Sequence, residues 1–313
     1  MLTTPADTPV TEPVLALVGP TAVGKTALSL RLAERFSCEI VGLDSMQVYR
    51  QMDIGTAKAS PEERARVPHH LIDLVDPDGE YHVARYFKDA IAACRGIVAR
   101  GKTPLLVGGT GLYLKALEQG LFEAEAGDEA VRLRLRARLA EEGRARLHAE
   151  LAERDPASAA RIHINDTQRL LRALEIVETT GRSWSEHLAG QQGAPALPRL
   201  LKLGLLGERA QLYARIERRV AQMVDAGLLD EVRSLLAQGY PGSLKAMQAI
   251  GYRHMVNFLA GAWGWEEALR LLARDTRRYA KRQLTWFKAD PGLRWFAPED
   301  EPGIFAAAAE FLR

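Results

Sequence analysis

The stretch Gly19-Pro20-Thr21-Ala22-Val23-Gly24-Lys25-Thr26 constrains this chain more than any other feature. Its spacing is G-x-x-x-x-G-K-[ST]. Glycines at those positions let backbone N–H groups turn inward around phosphate oxygens. Lys25 adds a positive charge, Thr26 offers a hydroxyl to Mg²⁺, and the following helix aims its positive N-terminus at the anion. The motif works only between a strand and a helix, and the flanks provide both. Val14–Val18 is a short apolar run, and after Thr26 the residues Leu28, Leu32 and Phe36 recur at helical spacing. Such a loop holds a diphosphate but does not specify a reaction.

The next 100 residues repeat the strand-helix alternation. Glu39–Leu43 and Thr103–Val107 read as buried strands, with a helix over Tyr86–Arg100 stopped by Gly101. Alternation of this kind predicts a parallel sheet with helical crossovers. The second strand ends at Asp44, at the sheet edge where ligands bind in such folds. A carboxylate there could orient Mg²⁺ or accept a proton from a nucleophile; it could also cap the next turn. The third strand ends in Gly108-Gly109-Thr110-Gly111 and carries no carboxylate. The carboxylate that NTPases use there for Mg²⁺ is therefore missing. The glycines suit either a tight turn or close approach of a ligand.

From about residue 123 the composition becomes helical. Val131–Leu139 alternates apolar residues with arginine, a strand-like pattern, but its strong helix formers argue for helix. Gly190–Pro198 reads as a linker and Leu200–Leu206 as a return to the sheet. Ala210 to Lys288 is helical, broken at Gly239–Gly242. The fold expected is α/β, a P-loop NTPase-like parallel-sheet core with a helical insertion domain. Residues 1–13 form a disordered lead-in, 14–122 with 199–313 the core, and 123–198 the insertion. Cys38 and Cys94 are far apart and lack metal-ligand spacing. Together with the absence of a signal peptide or long apolar run, this points to a cytoplasmic chain with no membrane partner. The pair His69-His70 has no third ligand nearby and suits a hydrogen-bonding role.

Charge is informative only by position. Arg270, Arg274, Arg277, Arg278, Lys281, Arg282 and Lys288 face a single acid, Asp275, over Arg270–Lys288. The first six fall within an arc of roughly 140° on a helix. A one-sided basic stripe suits phosphate contacts, although charged helix faces are commonly just solvated. The insertion is balanced, with eleven arginines and ten acids over Asp128–Arg182.

The ordered set of motifs is similar to the tRNA dimethylallyltransferase (isopentenyltransferase) family. It comprises the phosphate loop, Asp44-Ser45-Met46-Gln47-Val48-Tyr49, Asp53-Ile54-Gly55-Thr56-Ala57-Lys58, Pro68-His69-His70-Leu71-Ile72-Asp73 and Gly108-Gly109-Thr110-Gly111-Leu112-Tyr113. It continues through Asn165-Asp166-Thr167-Gln168-Arg169, Arg172-Ala173-Leu174-Glu175, Ile250-Gly251-Tyr252-Arg253 and Lys281-Arg282-Gln283-Leu284-Thr285-Trp286. The resemblance spans roughly Val14 to Lys288 and departs from many members at Val23, where they carry Ser.

It implies transfer of a dimethylallyl group from dimethylallyl diphosphate to N6 of adenosine 37 beside the tRNA anticodon, with Mg²⁺ as cofactor. Asp44 would be the base, Thr21 would lie close to the diphosphate, and Arg215 and Arg219 match family arginines, with Arg215 among the catalytic residues. Contacts with tRNA would come from Asp44, Ser45, Met46, Gln47, Thr110, Gln168, Arg169, Leu170, Leu171, Arg172, Gly251, Tyr252, Arg253, Arg274, Arg278 and Lys281. The chain would work as a monomer. Other readings of the same loop are a small-molecule kinase, a transferase acting on free adenine nucleotides, and a nucleotide-gated RNA-binding protein.

Overall fold

The computed structural model describes residues 9–120, 128–190 and 195–313. Residues 1–8 of the expected lead-in, the expected boundary at 122/123 and residues 191–194 of the expected linker lie outside them. The chain divides into two compact units, Met1–Gln119 with Pro195–Arg313, and Gly120–Ala194.

The first unit is built on a six-stranded sheet, β1 (Val14–Val18), β2 (Cys38–Leu43), β3 (His69–His70), β4 (Thr103–Gly108), β5 (Leu200–Leu205) and β6 (Leu293–Phe296). Its order is β3-β2-β4-β1-β5-β6, and every pairing is parallel. Central strands must bury both faces, which is why β1 and β2 are buried at every residue and read as apolar runs. Alternate residues serve two cores. Val14, Ala16 and Val18 face one cluster with Val41, Leu43 and Leu106. Leu15 and Leu17 face the other with Ile40, Leu105, Leu203 and Leu205.

The helices of this unit are α1 (Lys25–Phe36), α2 (Pro61–Arg66), α3 (Val83–Ala99), α4 (Gly111–Gln119), α9 (Arg209–Asp225), α10 (Leu228–Ala237), α11 (Tyr252–Leu259), α12 (Trp265–Lys288) and α13 (Glu301–Leu312). The path from β1 crosses to β2 on one side, and that from β4 crosses to β5 on the other. The crevice between the C-terminal ends of β1 and β4 is therefore the switch point at which open α/β sheets bind ligands. Strands β3 and β6 were not expected from the sequence. They are short edge strands in which only Leu293 is buried, and so lack an apolar run. The histidines of β3 are hydrogen-bonded, His69 Nδ1 to Val67 O and His70 Nε2 to Glu39 Oε2, both at 2.7 Å. Among the described residues no helix is long and apolar enough to cross a membrane.

The second unit consists of α5 (Glu129–Arg154), α6 (Pro156–Arg161), α7 (Thr167–Thr180) and α8 (Trp184–Ala189). Helix α5 is interrupted at Gly143, whose φ of 79° no helix accommodates. Helical period resolves its strand-like pattern: Val131 and Leu135 are buried, whereas Leu133 between them is 58% exposed. Those residues join Leu147, Leu151, Leu170 and Leu174 in a core of the unit's own.

Candidate active site

The phosphate loop leaves β1 and enters α1 at Lys25. Gly24, the residue before the helix, has φ 109°, and Ala22 also lies in the left-handed region at φ 65°. Backbone that changes hand within three residues forms a concavity of N–H groups suited to an anion. Lys25 Nζ donates to Gly19 O at 2.9 Å and to Pro20 O at 2.8 Å, so the ammonium is folded back over its own loop. Burial, then the charge of Arg219, bring its pKa down to about 7, while Asp44 pulls the other way. Thr26 is exposed on the loop's last turn.

Asp44 follows the last residue of β2 and lines the same cleft, whose volume is about 1200 Å³. Its Oδ1 accepts from Met46 N at 2.8 Å and Gln47 N at 3.4 Å. Both the capping role and a place in the cleft therefore belong to this residue, with Oδ1 used for the turn. Among the described residues Oδ2 has no hydrogen-bond donor. Burial raises the Asp44 pKa, opposed by those two N–H donors and by the charges of Lys25 and Arg219. Ser45 N donates to Thr110 Oγ1 at 3.2 Å, and Gly109 N and Thr110 N donate to Leu43 O at 3.1 Å, locking the β2 and β4 ends together.

Helices α9 and α12 supply the opposite wall. Arg215 Nη1 donates to Val23 O at 3.0 Å and so grips the phosphate loop from outside, while its Nη2 meets Glu299 at 3.2 Å. Arg219, one helical turn on, lines the cleft, and its field reaches both Lys25 and Asp44. From α12, Gln283 Oε1 accepts from Thr21 N at 2.8 Å and its Nε2 donates to Gly109 O at 3.0 Å. Tyr279 lines the cleft beside Gln283, and burial pushes its hydroxyl pKa up.

These contacts explain the glycine strip differently from either sequence-based alternative. A Cβ on Gly109 would lie 2.0 Å from Gln283 Nε2, and one on Gly111 2.1 Å from the Trp286 ring. Gly109 and Gly111 are bare because α12 lies against them, and Gly108 because a Cβ there would lie 2.1 Å from Leu43 O, in the turn from β4 to α4. Gln283 and Tyr279 were not singled out from the sequence. The signals were a place in the Lys281–Trp286 motif and, for Gln283, a helical position opposite the basic arc, on the side of the buried Ala280 and Phe287.

The residues expected to touch tRNA are placed unequally. Met46, Gln47 and Arg253 line the cleft. Gln47 Nε2 donates to Thr56 O and Ala57 O, which ties it to the 53–58 loop. Tyr252 is fully buried and its hydroxyl donates to Glu231 at 2.6 Å. That carboxylate also accepts from the N–H groups of Asp53, Ile54 and Gly55. Tyr252 is thus a support for the loop, and its ring is closed to an RNA; Gly251 before it has φ 97°.

Asp275 of α12 is reached by Arg253 of α11 and by Arg274, at 2.6 and 2.9 Å, and Arg278 lies 3.8 Å from it. Arg270 and Arg277 meet Glu267 and Glu217, acids outside the segment in which the stripe was counted. Lys281 is exposed, with no ion-pair partner among the described residues.

In the second unit, Gln168, Leu171 and Arg172 of α7 line a groove of about 340 Å³ together with Arg132 and Arg136. Arg169 lies 3.5 Å from Asp166, and Arg172 pairs with the buried Glu175 at 2.9 Å. Leu170 points into that unit's core and is fully buried, so its side chain cannot meet a ligand.

Comparison with known proteins gives this arrangement a context. Residues 47–290 match the model of the IPP transferase family, and residues 12–73 that of the isopentenyl transferases. The chain is 52% identical over 301 residues to a tRNA dimethylallyltransferase of Desulfotalea psychrophila, covering 96% of each. It is 53% identical over 286 residues to one of Symbiobacterium thermophilum, covering 90% of this chain and 88% of that one. Among solved structures, a tRNA isopentenylpyrophosphate transferase of Bacillus halodurans superposes with a TM-score of 0.71 at 42% identity, over 96% of this chain and 97% of that one. A eukaryotic dimethylallyltransferase acting on tRNA superposes at 0.80 and 29% identity, over 96% of this chain and 77% of that one.

Proposed function

Because the chain belongs to the IPP transferase family, we propose that its cleft transfers a dimethylallyl group from dimethylallyl diphosphate to N6 of adenosine 37 in tRNA. The protein is an enzyme, a tRNA prenyltransferase. The observation that carries the assignment of roles is the sharing of one cleft by Asp44 and the phosphate loop, close enough for Asp44 and Lys25 to shift each other's ionisation.

The exocyclic amine of adenosine is a weak nucleophile, because its lone pair is delocalised into the ring. In the proposed step that lone pair forms a bond to the allylic carbon, and the carbon–oxygen bond breaks. The oxygen departs with the electron pair as diphosphate. The N6 proton passes to Asp44 Oδ2, the oxygen left unengaged by the Met46 turn. Burial favours the protonated carboxyl, so Asp44 is disposed to take that proton. Charge building on the leaving diphosphate meets the N–H groups of the loop, Lys25 and the Arg215 and Arg219 guanidinium groups.

The donor set fits Mg²⁺ shared with phosphate. Thr26 offers a hydroxyl beside the loop, and the remaining positions would fall to phosphate oxygens and water. Among the described residues no cluster of three His, Cys, Asp or Glu could make a protein cage. When bound, the ion would neutralise phosphate charge. The target base must leave its stack to reach Asp44, which an anticodon loop permits at low cost. The enzyme would work as a monomer on tRNA in the cytoplasm.

The test is incubation with labelled dimethylallyl diphosphate, Mg²⁺ and unmodified tRNA, AMP or no acceptor. Label is expected on tRNA at adenosine 37. Preferential labelling of AMP, or turnover of ATP without transfer, would overturn the assignment.

A further inference from the structure

Helix α12 has two working faces. Its outer face carries Arg278, Lys281 and Arg282, all exposed. Its inner face carries Gln283, which is 6% exposed and spends both ends of its amide on the site. Oε1 takes the N–H of Thr21, inside the phosphate loop, at 2.8 Å. Nε2 gives to the carbonyl of Gly109, at the end of β4, at 3.0 Å.

A glutamine amide carries both functions at the reach of its side chain. An acceptor is needed for Thr21 N and a donor for Gly109 O, and both lie where water has little access. The contact is close enough that Gly109 has no room for a Cβ. Gln283 thereby settles the orientation of one peptide of the diphosphate cradle from a helix more than 250 residues away in sequence.

We propose that Gln283 is a positioning residue for the prenyl donor, holding Thr21 in the conformation that receives diphosphate and linking that conformation to the seating of RNA on α12. The inference rests on the reading of the cleft as a prenyl transferase site. If the link exists, it is reciprocal: RNA on α12 tightens diphosphate binding by the same factor by which diphosphate tightens RNA binding.

The test uses the full chain with Gln283→Met, which keeps length and loses both hydrogen bonds, and Gln283→Glu. Glu keeps the acceptor for Thr21 N, but sets a negative charge beside the diphosphate and an acceptor against Gly109 O. Affinity for inorganic diphosphate is titrated with and without tRNA, and the KM values for dimethylallyl diphosphate and for tRNA are measured separately.

For Gln283→Met, diphosphate affinity is expected to fall about tenfold, in line with two lost buried hydrogen bonds. The KM for dimethylallyl diphosphate should rise in parallel, and that for tRNA should rise by no more than the coupling factor the variant loses. The factor by which tRNA enhances diphosphate binding should shrink toward one. Gln283→Glu should lose more than Met in diphosphate affinity, despite keeping one bond.

Equal diphosphate affinity in wild type and a folded Met variant would overturn the proposal, as would a lowered melting temperature with both KM values unchanged. If the Met variant does not fold, the Glu variant alone decides. Diphosphate affinity equal to wild type there is incompatible with Gln283 facing the cradle. The diphosphate titration needs no acceptor, so it reads Gln283 even if the wild type fails to prenylate tRNA; that failure would instead count against the assigned reaction.

Discussion

Binding of the prenyl donor is expected to take up a proton at Lys25. Its ammonium lies over the Gly19 and Pro20 carbonyls, and burial beside Arg219 brings the pKa to about 7. A bound diphosphate supplies several negative charges and restores the ammonium's ordinary range. With a free pKa of about 7, half of the molecules carry a charged Lys25 at pH 7 and about 1% at pH 9, so donor affinity should fall about 50-fold between them. Proton uptake on binding should rise from about 0.1 at pH 6 to about 0.9 at pH 8. The sign for stability follows from the same lowering. Neutral Lys25 suits the empty fold, so its contribution is present above the unfolded pKa and lost as pH falls through about 7. The assay is calorimetric titration of dimethylallyl diphosphate, without tRNA, in buffers of different ionisation enthalpy. Lys25→Arg is the control, because a guanidinium stays charged and leaves only the ligand's own protonation. Coinciding uptake in wild type and Lys25→Arg at pH 8, with parallel affinity profiles, would refute the argument.

Asp44→Asn is expected to retain tRNA binding and to lose about 10²- to 10⁴-fold in turnover. It should also raise the melting temperature. The folded pKa of Asp44 is raised, so its ionised form opposes folding once pH passes that value, and the gain should vanish in acid; unchanged turnover would remove Asp44 as the base. Glu231→Ala removes the acceptor of three loop N–H groups and the Tyr252 hydroxyl, and should cost about 3 kcal/mol in denaturant unfolding. A change under about 0.5 kcal/mol would show that water replaces it. Replacing Arg278 and Lys281 with Gln should weaken tRNA binding and lower its logarithmic salt slope by up to about 2. Arg274→Gln alone should matter less, because Asp275 already engages it. An unaltered slope for the double variant would make the stripe a solvated face.

The parts legible from sequence are those whose physics is local. Strands β1, β2 and β4 are covered on both faces, so their apolar runs announce them, and the phosphate loop is written by spacing alone. Asp44 was legible because the end of a buried parallel strand is itself a location. The short edge strands were not. His69–His70 and Leu293–Phe296 are pinned by neighbours rather than by burial, as the half-exposed Arg294 and Trp295 show. Counting charge along one segment also overstated the free cations of α12, because Glu217 and Glu267 come from outside it.

The inner face of α12 was hidden for a different reason. Helical spacing sets Gln283 on the face opposite the basic stripe, but locates that face without saying which groups cover it. What makes Gln283 part of the site is a pair of backbone groups, Thr21 N and Gly109 O, and backbone groups leave no mark in a sequence. The mark they leave is indirect. Gly109 and Gly111 lack side chains where Gln283 and Trp286 press against them. The glycines stand two positions apart in sequence and their partners three. Both halves of the match are written in the chain, but only the crossing of α12 over the end of β4 reveals that they are halves. A glycine strip at a strand end can therefore report the helix that closes a site as readily as the ligand that enters it. Here that helix carries the basic residues proposed to meet the RNA.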